Sequence, residues 1–435
     1  MLPSRIATLS CLTAAALLLS TPLLFAEGVD VDNARIPTPD EVCSGTAGTI
    51  ESRPPRISEL RFEGLSKTKP SVVRNAVDVA PGDPYTEKIR EDIRRRLREL
   101  GLFDRVEVTP PPQSVTAPET VVTIAVRERW TLVPIPYFVT SSGGTSGGIF
   151  VIESNLLGYN KQLIAGGAYG SAGFNGVLIY SDPAILGSNY VGSTAISGSR
   201  SDETASTLDG DTIDSWDAFN TTGRLRFGYR FGENLTVSTS IAGRRSEFNS
   251  LPVGAPAEES AVFHGGQLSY SRRDPRRYFS AGFDATLEAE YELGAGSERE
   301  WSVAAAWEQN FPLLRDHRLR YALRAEESEA PLWRLSRLGG TETQRTIDRN
   351  TVPAERYLTG GLTYEVPVYR PDWGTATLLG FYEAGVLDGD AGYHGPGGGF
   401  RLYVSRVTLP ALGFDLAYRA TSDLWLFSFS IGMSM

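Results

Sequence analysis

Residues 283–293 read FDATLEAEYEL. Phe283, Ala285, Leu287, Ala289 and Tyr291 share one parity, while Asp284, Thr286, Glu288, Glu290 and Glu292 share the other. Successive side chains on a strand point to opposite faces, so this stretch forms a ribbon that is apolar on one side and acidic on the other. The pattern recurs. In Gly223–Phe231, Leu225, Phe227, Tyr229 and Phe231 alternate with Arg224, Arg226 and Arg230. At the end of the chain, Trp425, Phe427, Phe429, Ile431, Met433 and Met435 oppose Ser428, Ser430, Gly432 and Ser434. A soluble sandwich alternates too, and what separates the two is length and number. Spanning strands need roughly 9–11 residues, whereas ordinary strands run to roughly 5–6. Between Leu132 and Ser434 there is room for about sixteen segments of the longer kind, an even number that returns the chain to the side where it began. The predicted fold is therefore an all-β transmembrane barrel of about 16 antiparallel strands over residues 130–435. Long links are expected at Ser201–Asn220, Ser246–Ala261, Ala330–Glu355 and Val386–Gly395, with tight ones such as Gly232-Glu233 and Pro410-Ala411 between them.

The rest of the chain fits an exported protein. Of 435 residues, 45 are Gly but only 3 are His, 3 Met and 2 Cys, and the formal charge of -10 argues against a nucleic-acid partner. Arg5, the apolar run Ile6–Phe25 and Leu24-Phe25-Ala26 read as a signal peptide (1–26) cleaved before Glu27, the alternative being an uncut anchor. Residues 27–55, rich in Pro, Gly, Ser and Thr, read as a flexible lead-in. Cys11 leaves with the signal and Cys43 stands alone, which excludes an internal disulfide framework. After the signal no run of about 18 apolar residues follows, so the remaining way to cross a bilayer is a closed barrel.

Residues 56–128 read as a small α+β domain. Ile57–Phe62 alternates, Pro70–Val79 is a short helix opened by proline, and Thr86 caps a longer one. Ile89, Ile93, Leu97 and Leu100 form its buried stripe, with Gly101 as the stop. Its other face carries Arg90, Arg94, Arg95 and Arg98, read as solvated rather than as a site for anionic lipid or an acidic client. Phe103–Val108 and Thr120–Val126 are two strands joined across Pro110-Pro111-Pro112.

Catalytic chemistry is not visible. His264, His317 and His394 are scattered without metal-ligand spacing. Glu288, Glu290 and Glu292 share a strand face, which places them on the polar wall of a barrel. No nucleophile with a positioned base can be picked out, so no enzyme activity, metal or cofactor is expected.

With this layout, the chain resembles the BamA/TamA-type outer-membrane assembly and translocation superfamily, bacterial surface antigen barrels that follow polypeptide-transport-associated (POTRA) domains. The POTRA-like residues are Ile57–Gly64, Pro81–Tyr85 and Leu100–Phe103, and one such domain fits. Barrel motifs that look like the family's are Asn155–Gly158, Asp182-Pro183, Arg273-Asp274-Pro275, Gly380–Gly385 and Gly395–Arg401. The resemblance implies that the long loop after strand eleven folds into the lumen, marked by Gly339-Gly340 and a tip arginine, Arg345. The tip's Gly and aromatic are replaced by Thr346 and Ile347, and the chain ends in Met435 rather than an aromatic. The family's strand-thirteen acid implies Glu383 as partner of Arg345, with Glu365 second by strand parity. It also implies an outer-membrane location with the small domain in the periplasm. Partners would be membrane lipid, unfolded or partly folded client polypeptide and periplasmic accessory proteins. A passive channel or structural barrel is the alternative function, and a barrel hydrolase the third.

Overall fold

A computed structural model describes residues 54–110, 119–171, 173–294, 299–314, 316–340, 344–389, 391–404 and 410–432. The expected signal peptide, nearly all of the lead-in, Cys11, Cys43, Met433 and Met435 lie outside them.

The small domain comes first. Strand β1 (Arg56–Glu63) lies parallel to the central strand β3 (Glu119–Glu128), and β2 (Phe103–Val108) pairs antiparallel on its other side. Helix α1 (Pro70–Val77) begins with proline at a position whose N–H would have no partner anyway. It ends two residues before the sequence reading, because Asp78 takes the left-handed conformation, φ 52°. In α2 (Glu87–Glu99) the Thr86 hydroxyl accepts from the Ile89 amide and caps the helix. The stripe Ile93 and Leu97 is fully buried against Val73, Val77, Val106, Val122 and Ile124. On the opposite face Arg94 pairs with Glu91 and Arg95 with Asp92 and Glu99 of the same helix, and Arg95 also lies 3.8 Å from Glu233. Arg90 departs from the solvated reading, since its Nε donates to the Val108 carbonyl and joins helix to sheet.

The barrel strands are β4 (Leu132–Ser141), β5 (Gly144–Leu156), β6 (Lys161–Gly170), β7 (Gly173–Asp182), β8 (Tyr190–Ser206), β9 (Thr212–Phe231), β10 (Leu235–Ser250) and β11 (Glu258–Pro275). They continue as β12 (Ser280–Glu292), β13 (Trp301–Leu313), β14 (His317–Glu329), β17 (Arg356–Tyr369), β18 (Gly374–Leu387), β19 (Ala391–Val404), β20 (Pro410–Arg419) and β21 (Leu424–Ile431). Each pairs with its neighbours in sequence, and β21 pairs with β4, closing sixteen strands among the described residues. Between β14 and β17 a small hairpin, β15 (Arg337–Leu338) with β16 (Val352–Pro353), forms a separate two-stranded sheet.

Alternation sets the two faces of the wall. Leu225, Phe227, Ile241, Leu287, Leu362 and Leu378 point outward and are 46–56% exposed. Large apolar side chains facing out around a wall whose interior carries arginine and glutamate are the inverse of a soluble fold, and suit hydrocarbon outside. Tyr270, Phe283 and Trp307 stack across β11, β12 and β13 at 5.1 and 5.2 Å, as aromatic girdles do at a membrane interface.

Three of the expected long links are mostly strand. The β8–β9 ladder runs on to Ser206↔Thr212, β10 reaches Ser250, and β18 and β19 are paired to Leu387↔Ala391. Strand hydrogen bonding does not need apolar side chains, so the ladders continue through polar sequence beyond the apolar band. The segment 330–355 is a true excursion. Pro410-Ala411 is no turn either: it opens β20, and the link before it, 405–409, lies outside the described residues.

A polar latch joins the small domain to the barrel. Glu128 accepts hydrogen bonds from the Ser66 hydroxyl (2.6 Å) and the amides of Lys67 (2.8 Å) and Thr68 (2.7 Å). The loop so shaped presents Lys67 Nζ to Thr131 and Glu153, Thr68 to the Asn155 amide, and the Lys69 N–H to the Gly158 carbonyl. Burial pushes the Glu128 carboxyl up, but the hydrogen bonds from Ser66, Lys67 and Thr68 outweigh it and hold it at about 2. A folded value below the unfolded one contributes stability above the ordinary carboxylate range, and that contribution disappears as pH falls toward about 2. We therefore expect Glu128→Gln to lower protease resistance of the small domain at neutral pH. Its stability curve should also be flatter than wild type between about pH 4.5 and 2. Parallel acid curves for the two proteins would refute this role.

Candidate functional site

The latch fixes which end of the barrel faces the small domain, and segment 330–355 therefore leaves the opposite end. It turns inward. Arg345 is 8% exposed and Glu383 fully buried, and Arg345 Nε lies 2.8 Å from Glu383 Oε1. Glu383 is four residues inside the outer end of β18, so the guanidinium sits within the lumen. Arg345 also donates to Thr363 Oγ1 (3.1 Å), lies 3.7 Å from Asp415 and packs 3.5 Å over the centre of the Phe381 ring. Glu383 Oε2 takes the Thr346 amide at 3.2 Å and its hydroxyl at 3.4 Å. A fork of donors, a carboxylate and an aromatic face together hold a guanidinium in one orientation.

The path to this position depends on two glycines. Gly339 (φ 122°) and Gly340 (φ 72°) adopt conformations that side chains rarely take. A Cβ on Gly339 would meet the Asp348 carbonyl oxygen at 1.7 Å, and one on Gly340 the Arg349 side chain at 2.6 Å. The chain can therefore fold flat onto its own return at 347–349. Ile347, 2% exposed, fills a cluster with Leu338, Val352, Ala354, Leu387 and Tyr393. Thr346 and Ile347, which replace the family's Gly and aromatic, thus supply a hydrogen bond and packing of their own.

Glu365 is not the partner of Arg345. It is buried and bound by Thr377 Oγ1 (2.5 Å), the Tyr403 hydroxyl (2.9 Å) and Arg318 (3.4 Å). Phe381 and Asp415 were not anticipated; Phe381 shares the parity of Glu383, which is the one signal that points to it. Glu288 and Glu290 face the lumen as wall residues, gripped by Arg224, Arg226 and Arg244 at 2.7–3.2 Å or closer, beside a polar cavity of about 470 Å³.

The C-terminal strand meets β4 at the seam. Trp425 (61% exposed) and Phe427 (47%) face outward, Phe429 packs edge-on against Phe138 at 6.4 Å, and Ile431 pairs with Phe138. The seam register holds four described pairs, Ser141↔Ser428 to Phe138↔Ile431, against ten between β4 and β5. Thr131 accepts from Ser154 on β5, so odd residues of β4 turn their peptide groups toward β5 and even ones toward β21. Pro134 and Pro136 are even. Two donors are therefore missing from the seam edge, where strand proline is tolerated.

Comparison with known proteins agrees with this arrangement. The family described as "Surface antigen variable number repeat" (POTRA) matches residues 55–129. A stretch of 146 residues is 25% identical to an outer membrane protein assembly factor BamA from Neorickettsia risticii (strain Illinois), covering 33% of this chain and 18% of that protein. The chain thus matches less than a fifth of that curated relative. Among solved structures, BamA from Haemophilus ducreyi lacking POTRA domains 1–3 superposes with TM-score 0.61 at 15% identity, over 87% of this chain and 84% of the other. CdiB from Acinetobacter baumannii gives 0.60 at 15% identity over 88% and 74%. With a POTRA domain leading into a closed sixteen-strand barrel among the described residues, the chain has the fold of a POTRA-led outer-membrane β-barrel, similar to BamA and CdiB.

Proposed function

We propose that this protein is an assembly or translocation factor. Its POTRA domain engages unfolded client polypeptide, and its barrel inserts or passes that client, without bond-breaking chemistry of its own. The observation that carries this reading is the seam. A barrel normally leaves no free strand edge, which is what protects it from pairing with other chains. Here four described pairs close the wall, and Pro134 and Pro136 remove donors just beyond them. Among the described residues this junction holds fewer pairs than β4 with β5, and opening it exposes edges that an extended client can join by strand addition. The outer edge of β2 in the POTRA domain offers the same chemistry on the periplasmic side.

Locking the seam tests it. Ser141 and Ser428 are directly opposite, and by the parity above they form a non-hydrogen-bonded pair, where Cα atoms approach to about 4.5 Å and a disulfide fits. The full chain in lipid vesicles is expected to speed insertion of an unfolded small barrel diluted from urea. Ser141→Cys with Ser428→Cys should abolish that gain when oxidised and return it on reduction. If the locked protein works as well as the reduced one, or the barrel conducts ions identically with the POTRA domain deleted and speeds no insertion, the passive-channel reading replaces this one.

A further inference from the structure

Segment 344–352 touches both sides of the seam. On one side, Arg345 is fixed to β18 through Glu383 and reaches Asp415 on β20, two strands back from β4. On the other, Arg349 Nη2 donates to the Tyr137 hydroxyl at 3.0 Å, and Tyr137 belongs to β4. Gly143, in the turn that follows β4, lies against the Arg349 backbone, where an added Cβ would come within 3.6 Å of its nitrogen. Further along, the Thr351 carbonyl accepts the Ser206 N–H on β8. The segment therefore spans the inside of the wall from β18 and β20 across to β4.

We propose that this segment is a brace that holds the seam closed from within, with Arg345 as its permanent anchor and the Arg349–Tyr137 hydrogen bond as its release point. The two ends differ in kind. Arg345 is buried, pairs with a fully buried carboxylate and covers an aromatic face. Arg349 is half-buried and its partner is a neutral phenol. A charge-to-neutral hydrogen bond at a partly wet site is the weaker link, and it is the link on the seam strand. When it lets go, β4 is free of the lumen loop while the loop stays docked on β18. Tyr137 is itself held by an edge-on contact with Phe150 on β5 at 5.7 Å, so the pull of the brace is passed to β4 and β5 as one hairpin.

This inference rests on the seam as the working junction, and its test reads the seam itself without any client. Hydrogen exchange of the full chain in lipid is followed by mass spectrometry for peptides covering 138–141 and 428–431. Tyr137→Phe removes one hydroxyl from a buried ring and keeps its packing. It is expected to raise exchange of both seam peptides roughly three- to tenfold, the range that loss of the Arg349 hydrogen bond gives, the longer 3.4 Å bond from Ser146 lying within the β4–β5 hairpin and off the seam, with β11–β12 peptides unchanged. Arg349→Gln should do the same, and Tyr137→Phe keeps the test open if Arg349→Gln does not fold. Unchanged seam exchange in Tyr137→Phe overturns the brace, and so does an equal rise around the whole barrel. Should seam exchange respond while insertion assays show nothing, the brace stands and the proposed function falls.

Discussion

Arg345→Ala is expected to destabilise the barrel by about 3–5 kcal/mol, the typical result of removing one member of a buried ion pair. The cost comes from what stays behind. Glu383 is fully buried, and without the guanidinium it keeps the backbone amides of residues 345 and 346 and the Thr346 hydroxyl but loses the cation beside it. Glu383→Ala should cost less, because Arg345 still has Asp415 at 3.7 Å, Thr363 and the Phe381 ring. Arg345→Lys should fall between, since an ammonium cannot serve Glu383 and Thr363 together in fork geometry. The double change Arg345→Met with Glu383→Leu removes both charges and should regain much of the loss. The measurement is the temperature at which the folded, fast-migrating gel form disappears. Equal temperatures for Arg345→Ala and wild type would mean that the loop is held by its apolar cluster alone.

The barrel was legible because parity is a local signal repeated sixteen times, and its two sides have different solvents. Strand ends were not legible. Asp202, Glu203 and Thr204 look like loop residues, yet they belong to β8, because above the apolar band either face meets water and only the backbone ladder decides where pairing stops. The lumen site shows the same limit at longer range. Parity places Glu365 and Glu383 on inward faces of adjacent strands, and cannot choose between them. The choice depends on where the loop descends, which follows from the Gly339-Gly340 turn closing on Asp348 and from Ile347 finding its cluster. It was the resemblance, not the residue pattern, that ranked Glu383 ahead. Arg349 and Tyr137 are 212 positions apart, and nothing in either neighbourhood announces the other. The latch between Lys67 and Glu153 is equally silent in the sequence.

Ile93→Asp and Leu97→Asp are expected to unfold the POTRA domain while the barrel remains folded. Both side chains are fully buried, and their surroundings, Val73, Val77, Val106, Val122 and Ile124, offer a carboxylate neither a partner nor water. An unpaired buried charge costs several kcal/mol even after relaxation, and a domain of this size has only about 4–11 kcal/mol to lose at ~0.05–0.15 kcal/mol per residue. The barrel should withstand the loss because its strands satisfy one another in a closed ring, and the latch that joins it to the POTRA domain is polar. When Lys67, Thr68 and Lys69 withdraw, Glu153, Asn155 and the Gly158 carbonyl lie at the wet end of the wall and can turn to solvent instead. Trypsin should then cut within the arginine-rich α2, leaving a resistant fragment that still shifts on a gel when heated. Loss of that shift together with the POTRA domain would show that the two fold as one unit. The vesicle assay gives the variant its second use: a barrel that keeps its seam but has lost its POTRA domain should no longer speed client insertion, because the edge that first receives the client is gone.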